Sequence, residues 1–209
     1  MKLYTSRAAP NPRRVTIFLS EKSIDIPSVE IDLAGRENYS DAFVAKNPLA
    51  RVPVLELDDG TYLAESLSIC RFIDSMHPAP SLFGRDDQER ALVDMWNRRM
   101  ESEVMGNVTA CFRHTHPYWD GRITQVKDWG ELCRKTLDER MVWLNNELEQ
   151  KPFIAGDLFT VADITAVCAF DLGRVAKIAI PESLAALSDW YRRVGERPSV
   201  VNSNPARKK

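Results

Sequence analysis

Two short stretches, Val52-Pro53 and Glu65-Ser66, have the residue types and spacing to hold a ligand. A proline directly before a strand, shortly after Asn47-Pro48, is a candidate for a cis peptide bond. A cis bond there would reverse the chain and leave the N–H and C=O of Val52 unpaired at a sheet edge. An extended peptide could then pair with them as an added strand. An ordinary loop proline is the competing reading. Glu65 and Ser66 fall where a helix should begin, so the N–H and hydroxyl of Ser66 would face out from a partly positive helix end. That end suits a carboxylate, Glu65 suits an ammonium, and one α-amino acid head group presents both. Ser66 as a simple helix cap is the alternative. The two features, about a dozen residues apart, are more specific together than either is alone.

A third stretch is Ala9-Pro10-Asn11-Pro12-Arg13-Arg14. Arg13 and Arg14 stand at a helix start, where the helix dipole disfavours cations. An anion held at this end would be doubly favoured, and a thiolate is one such anion. Two solvated arginines would read the same way in sequence.

The surrounding periodicities give these residues their places. Lys2 to Tyr4 begins a strand, and Pro12 can occupy the first turn of a helix carrying Val15, Phe18 and Leu19, which ends at Glu21-Lys22-Ser23. Val29, Ile31 and Leu33 alternate with Glu30 and Asp32 as a second strand. A helix over Tyr39 to Ala45 stops at Asn47-Pro48. Val54 to Leu57, Asp58-Asp59-Gly60 and Thr61 to Leu63 read as strand, tight turn, strand. A helix with Ile69, Phe72, Ile73 and Met76 follows. The order β-α-β-α-β-β-α makes a mixed four-stranded sheet with helices packed on it.

His77 to Ser81, with two prolines in three residues, reads as a linker. The division expected is an α/β domain over 1–77, a linker over 78–85 and an all-helical domain over 86–209. Asp86 or Asp87 can cap a long helix carrying Leu92, Met95 and Trp96. A second should run from Gln125 to Glu149 with Trp129, Leu132, Cys133, Leu137 and Leu144 inward. Val161 to Leu172 is apolar nearly all round and should be a buried central helix. Leu184, Leu187, Trp190 and Tyr191 mark a further helix, with Pro198 just beyond its end. Thr160 and Asp163 form a capping box for the central helix, which is a structural device.

The 209 residues can bury a core in one or two domains. A formal charge of -2 supplies no field for nucleic acid or an anionic membrane. Arg207, Lys208 and Lys209 read as a solvated basic tail. No stretch approaches the roughly 18 apolar residues needed to cross a bilayer, and the amino terminus lacks the apolar stretch of a signal peptide. Cys70, Cys111, Cys133 and Cys168 are widely separated and form no CxxC pair. They suit buried thiols in a reducing compartment, so a cytoplasmic location is expected and neither a metal nor a nucleotide site is suggested.

Over nearly its whole length the chain resembles a cytosolic glutathione transferase. The residues that carry the resemblance are Asn47 to Leu55, Glu65-Ser66, and Gly156 to Asp163. It implies a thioredoxin-like first domain that binds glutathione, an all-α helical bundle that binds the electrophile, and a homodimer. It also implies that glutathione serves as co-substrate with no further cofactor. By the same resemblance Val52, beside Pro53, would pair with the cysteinyl backbone of glutathione. Glu65 and Ser66 would hold the γ-glutamyl group, and Lys46 and Arg51 are candidates for the glycyl carboxylate.

The thiol-activating residue departs from the family pattern. The usual Tyr, Ser or Cys near the first helix is missing, since Ser6 lies close to the strand and Tyr4 should point into or beneath the sheet. The amino-terminal stretch is most similar to bacterial and fungal members that place an asparagine amide near the sulfur or use a water ordered by the second domain. Asn11 fits the first arrangement, because an amide N–H stabilises a thiolate. His114, in Arg113-His114-Thr115-His116-Pro117, fits the second, as a group that can accept a proton through water at neutral pH. Tyr118 and Trp119 could wall an apolar pocket or pack between helices. The expected activity is attack of glutathione thiolate on a small apolar electrophile. Glutathione-dependent disulfide reduction or dehalogenation is the alternative, as is a non-enzymatic interaction module on the same fold.

Overall fold

The computed structural model describes residues 1–204, so the Arg207-Lys208-Lys209 tail lies outside the described residues. The described residues divide into two compact units, one formed by Met1–Ser81 together with residues 198–204, the other by Leu82–Arg197.

In the first unit, β1 (Lys2–Thr5), α1 (Pro10–Glu21), β2 (Ser28–Glu30), α2 (Asp41–Val44), β3 (Val54–Glu56), β4 (Tyr62–Ala64) and α3 (Ser66–Met76) follow one another in the expected order. The sheet runs β2-β1-β3-β4, with β1 parallel to β2 and the other pairs antiparallel. The second strand is shorter than its alternation suggests. After Ile31, whose N–H still bonds to the Thr5 carbonyl, Asp32 turns the chain by accepting the N–H groups of Ala34 and Gly35. The helix expected over 39–45 begins as a 3-10 turn at Glu37–Tyr39, and Ser40 then caps α2 through the Phe43 N–H.

α9 (Pro198–Ser203) was not anticipated, nor was its place. The helical domain was expected to run to residue 209, whereas here the chain returns to the first unit at Pro198. The Arg13 guanidinium donates to the Val200 carbonyl and the Ser203 hydroxyl, and Ser199 bonds to Glu21. Arg13 is therefore buried as an anchor for the returning chain. Lys22 has a fully buried side chain whose ammonium bonds to the carbonyls of His77 (2.6 Å) and Pro80 (2.7 Å) and pairs with Asp74.

The second unit is helical. α4 (Asp87–Arg99), capped by Asp86, runs through a π-helical turn at Met100–Met105 into α5 (Gly106–Thr115). α6 (Lys127–Leu148), α7 (Val161–Val175) and α8 (Ala185–Gly195) follow. In α4, Val93, Trp96 and Asn97 are buried while Leu92 is exposed. One helix face is rotated from its expected phase. In α6, Cys133, Leu137 and Leu144 are buried as expected, but Trp129 and Leu132 are exposed. Gly130 sets this phase: a Cβ there would lie 2.6 Å from the Thr115 methyl, so the helix can approach α5 closely only with glycine at the contact. That turns positions 129 and 132 outward.

The capping box of α7 has more partners than its sequence suggests. Asp163 is fully buried and accepts from the Thr160 N–H (3.0 Å), the Thr160 hydroxyl, the Ile154 N–H (3.0 Å) and the Trp190 indole (2.9 Å). All four cysteines are buried, and among the described residues none forms a disulfide. Among the described residues no helix is long and apolar enough to cross a membrane.

Candidate functional site

Register gathers the site at one end of the sheet. β3 and β4 pair with Val54 opposite Ala64 and Glu56 opposite Tyr62. The residues that precede Val54 and follow Ala64 therefore lie side by side, Val52-Pro53 on one strand and Glu65-Ser66 on the other. β1 pairs with β3 with Tyr4 opposite Val54, so the chain leaves β1 for α1 at this same end. Ala9, just before α1, packs on the cluster of Tyr4, Ile31, Phe43, Val52 and Val54. Three stretches that are far apart in sequence thus meet.

The Val52-Pro53 peptide is cis. Val52 is buried, and among the described residues neither its N–H nor its C=O enters a backbone hydrogen bond. Asn38, which pattern reading did not single out, and Asn47 hold the loop before it. The buried Asn38 donates to the Ala50 carbonyl at 2.7 Å, and Asn47 donates to the Arg51 carbonyl at 2.8 Å while accepting from the Leu49 N–H. Ala50 has φ +52°, which a side chain other than glycine rarely adopts, and the Asn38 bond secures it there. The sequence signal for Asn38 is weak, since it sits in an irregular polar stretch with no apolar period.

α3 starts with Ser66 as its first helical residue, and Glu65 precedes it at φ +66°, ψ +116°. Glu65 holds the N-cap position without a side-chain capping bond, so Ser66 is not the cap that one reading of the sequence made it. The buried Ser66 and the first-turn N–H groups form a positive end, and the first turn itself holds no acidic residue. Glu65 is exposed beside it on a strained backbone, and its carboxylate makes no capping bond to the helix.

Lys46 comes from the end of α2. Its ammonium donates to the Tyr62 hydroxyl at 3.2 Å and lies over the Tyr4 and Tyr62 rings at 5.2 and 4.9 Å. The Tyr62 hydrogen bond pushes its pKa up and keeps it charged. Tyr4 donates its hydroxyl to Glu56 at 2.6 Å. That bond raises the Tyr4 pKa, so this hydroxyl is already engaged and stays protonated. Arg51 is exposed on the loop.

Asn11 stands exposed in the first turn of α1, with Pro10 and Pro12 on either side. The buried Arg14 reaches back to it, with the guanidinium 3.4 Å from Asn11 Oδ1. Neither Arg13 nor Arg14 is the solvated residue that one reading allowed, because both are buried.

In the helical unit, His114 Nδ1 accepts from the Val126 N–H at 3.0 Å, tying the end of α5 to the residue before α6. In neutral His114 the other ring nitrogen therefore carries the proton and is a donor. Tyr118 and Trp119 cluster with Phe112, and Arg113 and Arg122 lie over the Trp119 and Tyr118 rings at 5.0 and 4.5 Å. Tyr118 remains exposed. Among the described residues no cluster of three or more His, Cys, Asp or Glu could hold a metal ion.

Comparison with known proteins agrees with this architecture. Residues 3–81 match the glutathione S-transferase N-terminal domain, and residues 104–198 match the glutathione S-transferase C-terminal domain. Glutathione S-transferase 2 of Saccharomyces cerevisiae is 37% identical over 204 residues, covering 96% of this chain and 88% of that protein. The crystal structure of Gtt2 from the same yeast superposes with a TM-score of 0.92 at 36% identity, over 97% of this chain and all of that one. A glutathione S-transferase domain-containing protein of Marinobacter aquaeolei superposes with a TM-score of 0.90 at 41% identity, over 96% of this chain and 100% of that one. Two matched domains in order, a shared architecture and a relative this similar over almost the whole chain place it plainly: the chain belongs to the glutathione S-transferase family.

Proposed function

We propose that this protein conjugates the thiolate of glutathione to small apolar electrophiles. Val52, beside Pro53, pairs with the cysteinyl backbone of the tripeptide. Ser66 and the open start of α3 receive the γ-glutamyl carboxylate, and Glu65 receives its ammonium. Lys46 and Arg51 serve the glycyl carboxylate. Lys46 does so as a cation already held in place by Tyr62. Asn11 stabilises the thiolate by donating its amide N–H. His114 is the second candidate, acting through a water: with Nδ1 taken by the Val126 N–H, it donates to a water that in turn donates to the thiolate, and it does not accept the proton as the sequence reading expected. The α/β unit holds glutathione, and the helical residues of Leu82–Arg197 hold the electrophile, with Tyr118 and Trp119 among the contacts.

Glutathione is a co-substrate, and no metal or other cofactor is needed for a thiol that hydrogen bonds can activate. The protein works in the cytoplasm as a homodimer. Exposed apolar side chains on the first unit, Leu49 and Met76, give a second copy something to cover.

One observation carries this reading: the strand register sets Val52-Pro53 beside Glu65-Ser66 at an uncapped helix start. A γ-glutamyl peptide presents a backbone to pair, a carboxylate and an ammonium in the same order. Retention on immobilised glutathione, followed by thiolate absorbance of the complex against pH, tests it. Binding with a thiol pKa below that of free glutathione is expected. No binding at millimolar glutathione would overturn the reading, and binding without a lowered thiol pKa would favour an interaction module.

A further inference from the structure

We infer that Arg14 is a positioning residue that sets which end of the Asn11 amide faces the glutathione sulfur. The inference rests on the proposed role of Asn11 and deepens it. Arg14 and Asn11 are three residues apart on the first turn of α1, so their side chains share a face. Arg14 is buried, whereas Asn11 is exposed. The Arg14 Nη1 lies 3.4 Å from Asn11 Oδ1.

The chemistry of the two groups decides the rest. A guanidinium carries donors only, so the amide atom that faces it has to be the oxygen. The Asn11 Nδ2, with its two N–H donors, is then turned away from Arg14. An exposed asparagine without such a partner rotates broadly about its last torsion. It would present oxygen to the sulfur about as readily as nitrogen, and an amide oxygen repels a thiolate. Holding the oxygen on Arg14 removes that wrong orientation and leaves the amide ready to donate. Lysine would do this less well, because it is a point charge on a flexible stem and not a planar fork.

The thiolate absorbance of the glutathione-loaded protein, titrated against pH, tests this in the wild type and in Asn11→Ala, Arg14→Gln, Arg14→Lys and the Asn11→Ala/Arg14→Gln pair. Asn11→Ala and Arg14→Gln should each raise the thiol pKa by about 1, as loss of one hydrogen bond to a charged sulfur does. The double variant should raise it no further, and Arg14→Lys should fall between wild type and Arg14→Gln. KM for glutathione should stay within about twofold for both Arg14 variants, since the amide acts on the sulfur and not on the tripeptide backbone.

If Arg14→Gln raises the pKa equally in the Asn11→Ala background, Arg14 acts through its charge alone and the positioning role is overturned. If Asn11→Ala raises the pKa and Arg14→Gln does not, the positioning role fails while the role of Asn11 stands. If Asn11→Ala leaves the pKa unchanged, the role of Asn11 fails first. Should the Arg14 variants not fold, the order parameter of the Asn11 side-chain amide in the wild-type protein decides: a value typical of rigid groups supports the inference, and one below about 0.6 overturns it.

Discussion

Glu65 holds a backbone conformation, φ +66° and ψ +116°, that residues with a side chain seldom adopt, and such strain costs on the order of 1–3 kcal/mol. Glycine tolerates it at lower cost, while alanine keeps the strain and loses the carboxylate. Both Glu65→Ala and Glu65→Gly should therefore raise KM for glutathione about tenfold or more, through the loss of a charged hydrogen bond. Only Glu65→Gly should also stabilise the fold, by about 1 kcal/mol or roughly 3 °C in Tm, read by a thermal melt. If the two variants melt alike, the strain argument fails. Tyr4 and Glu56 form a second testable pair. The Tyr4 hydroxyl holds the Glu56 carboxylate below its ordinary pKa, so Glu56 favours the folded state above its unfolded pKa. That contribution is lost as pH falls through the lower, folded value. Tyr4→Phe should therefore cost stability at neutral pH and lose that cost at pH 2–3, as measured by urea midpoints at the two pH values.

Among the elements, α7 depends most heavily on a single side chain. The sequence pattern alone suggests an ordinary cap, worth about 1 kcal/mol. The structure adds the Ile154 N–H and the Trp190 indole as donors to the same carboxylate. Burial pushes the Asp163 pKa up, and its four hydrogen bonds oppose that shift. Asp163→Ala removes the acceptor of four buried hydrogen bonds, and at the low end of about 1–3 kcal/mol for each a loss of about 4 kcal/mol is expected. In a chain this long that is a fall of about 10 °C in Tm. A loss under 1 kcal/mol in a calorimetric melt would show that water or rearrangement satisfies the donors. The capping pair was readable because it lies within four residues. Trp190 follows 27 residues later, and only packing could show that its indole reaches Asp163.

For the molecule as a whole, the return of the chain at Pro198 has the largest consequence. α9 belongs to the unit that begins at Met1, held by Arg13, Glu21 and the buried Val200. Truncation after Arg197 should leave the buried Arg13 guanidinium without its Val200 and Ser203 partners and uncover α1. Hydrogen exchange within α1 should rise at least tenfold while that of α7 changes little. Equal acceleration in both helices would mean that the two units do not unfold separately. The sequence by itself determined the element order, the proline turn, the glutamate-serine helix start and the capping pair, because each is written in a local period or in neighbouring residues. It also carried the resemblance that the comparisons then established. Tertiary structure alone decided the strand register that brings Val52 beside Ser66 and the outward turn of Trp129 and Leu132. It also decided the use of Arg13 as an anchor for α9 and the contact that orients the Asn11 amide. Each of these depends on which distant side chains reach one another once the core has closed, a geometry that no local pattern encodes.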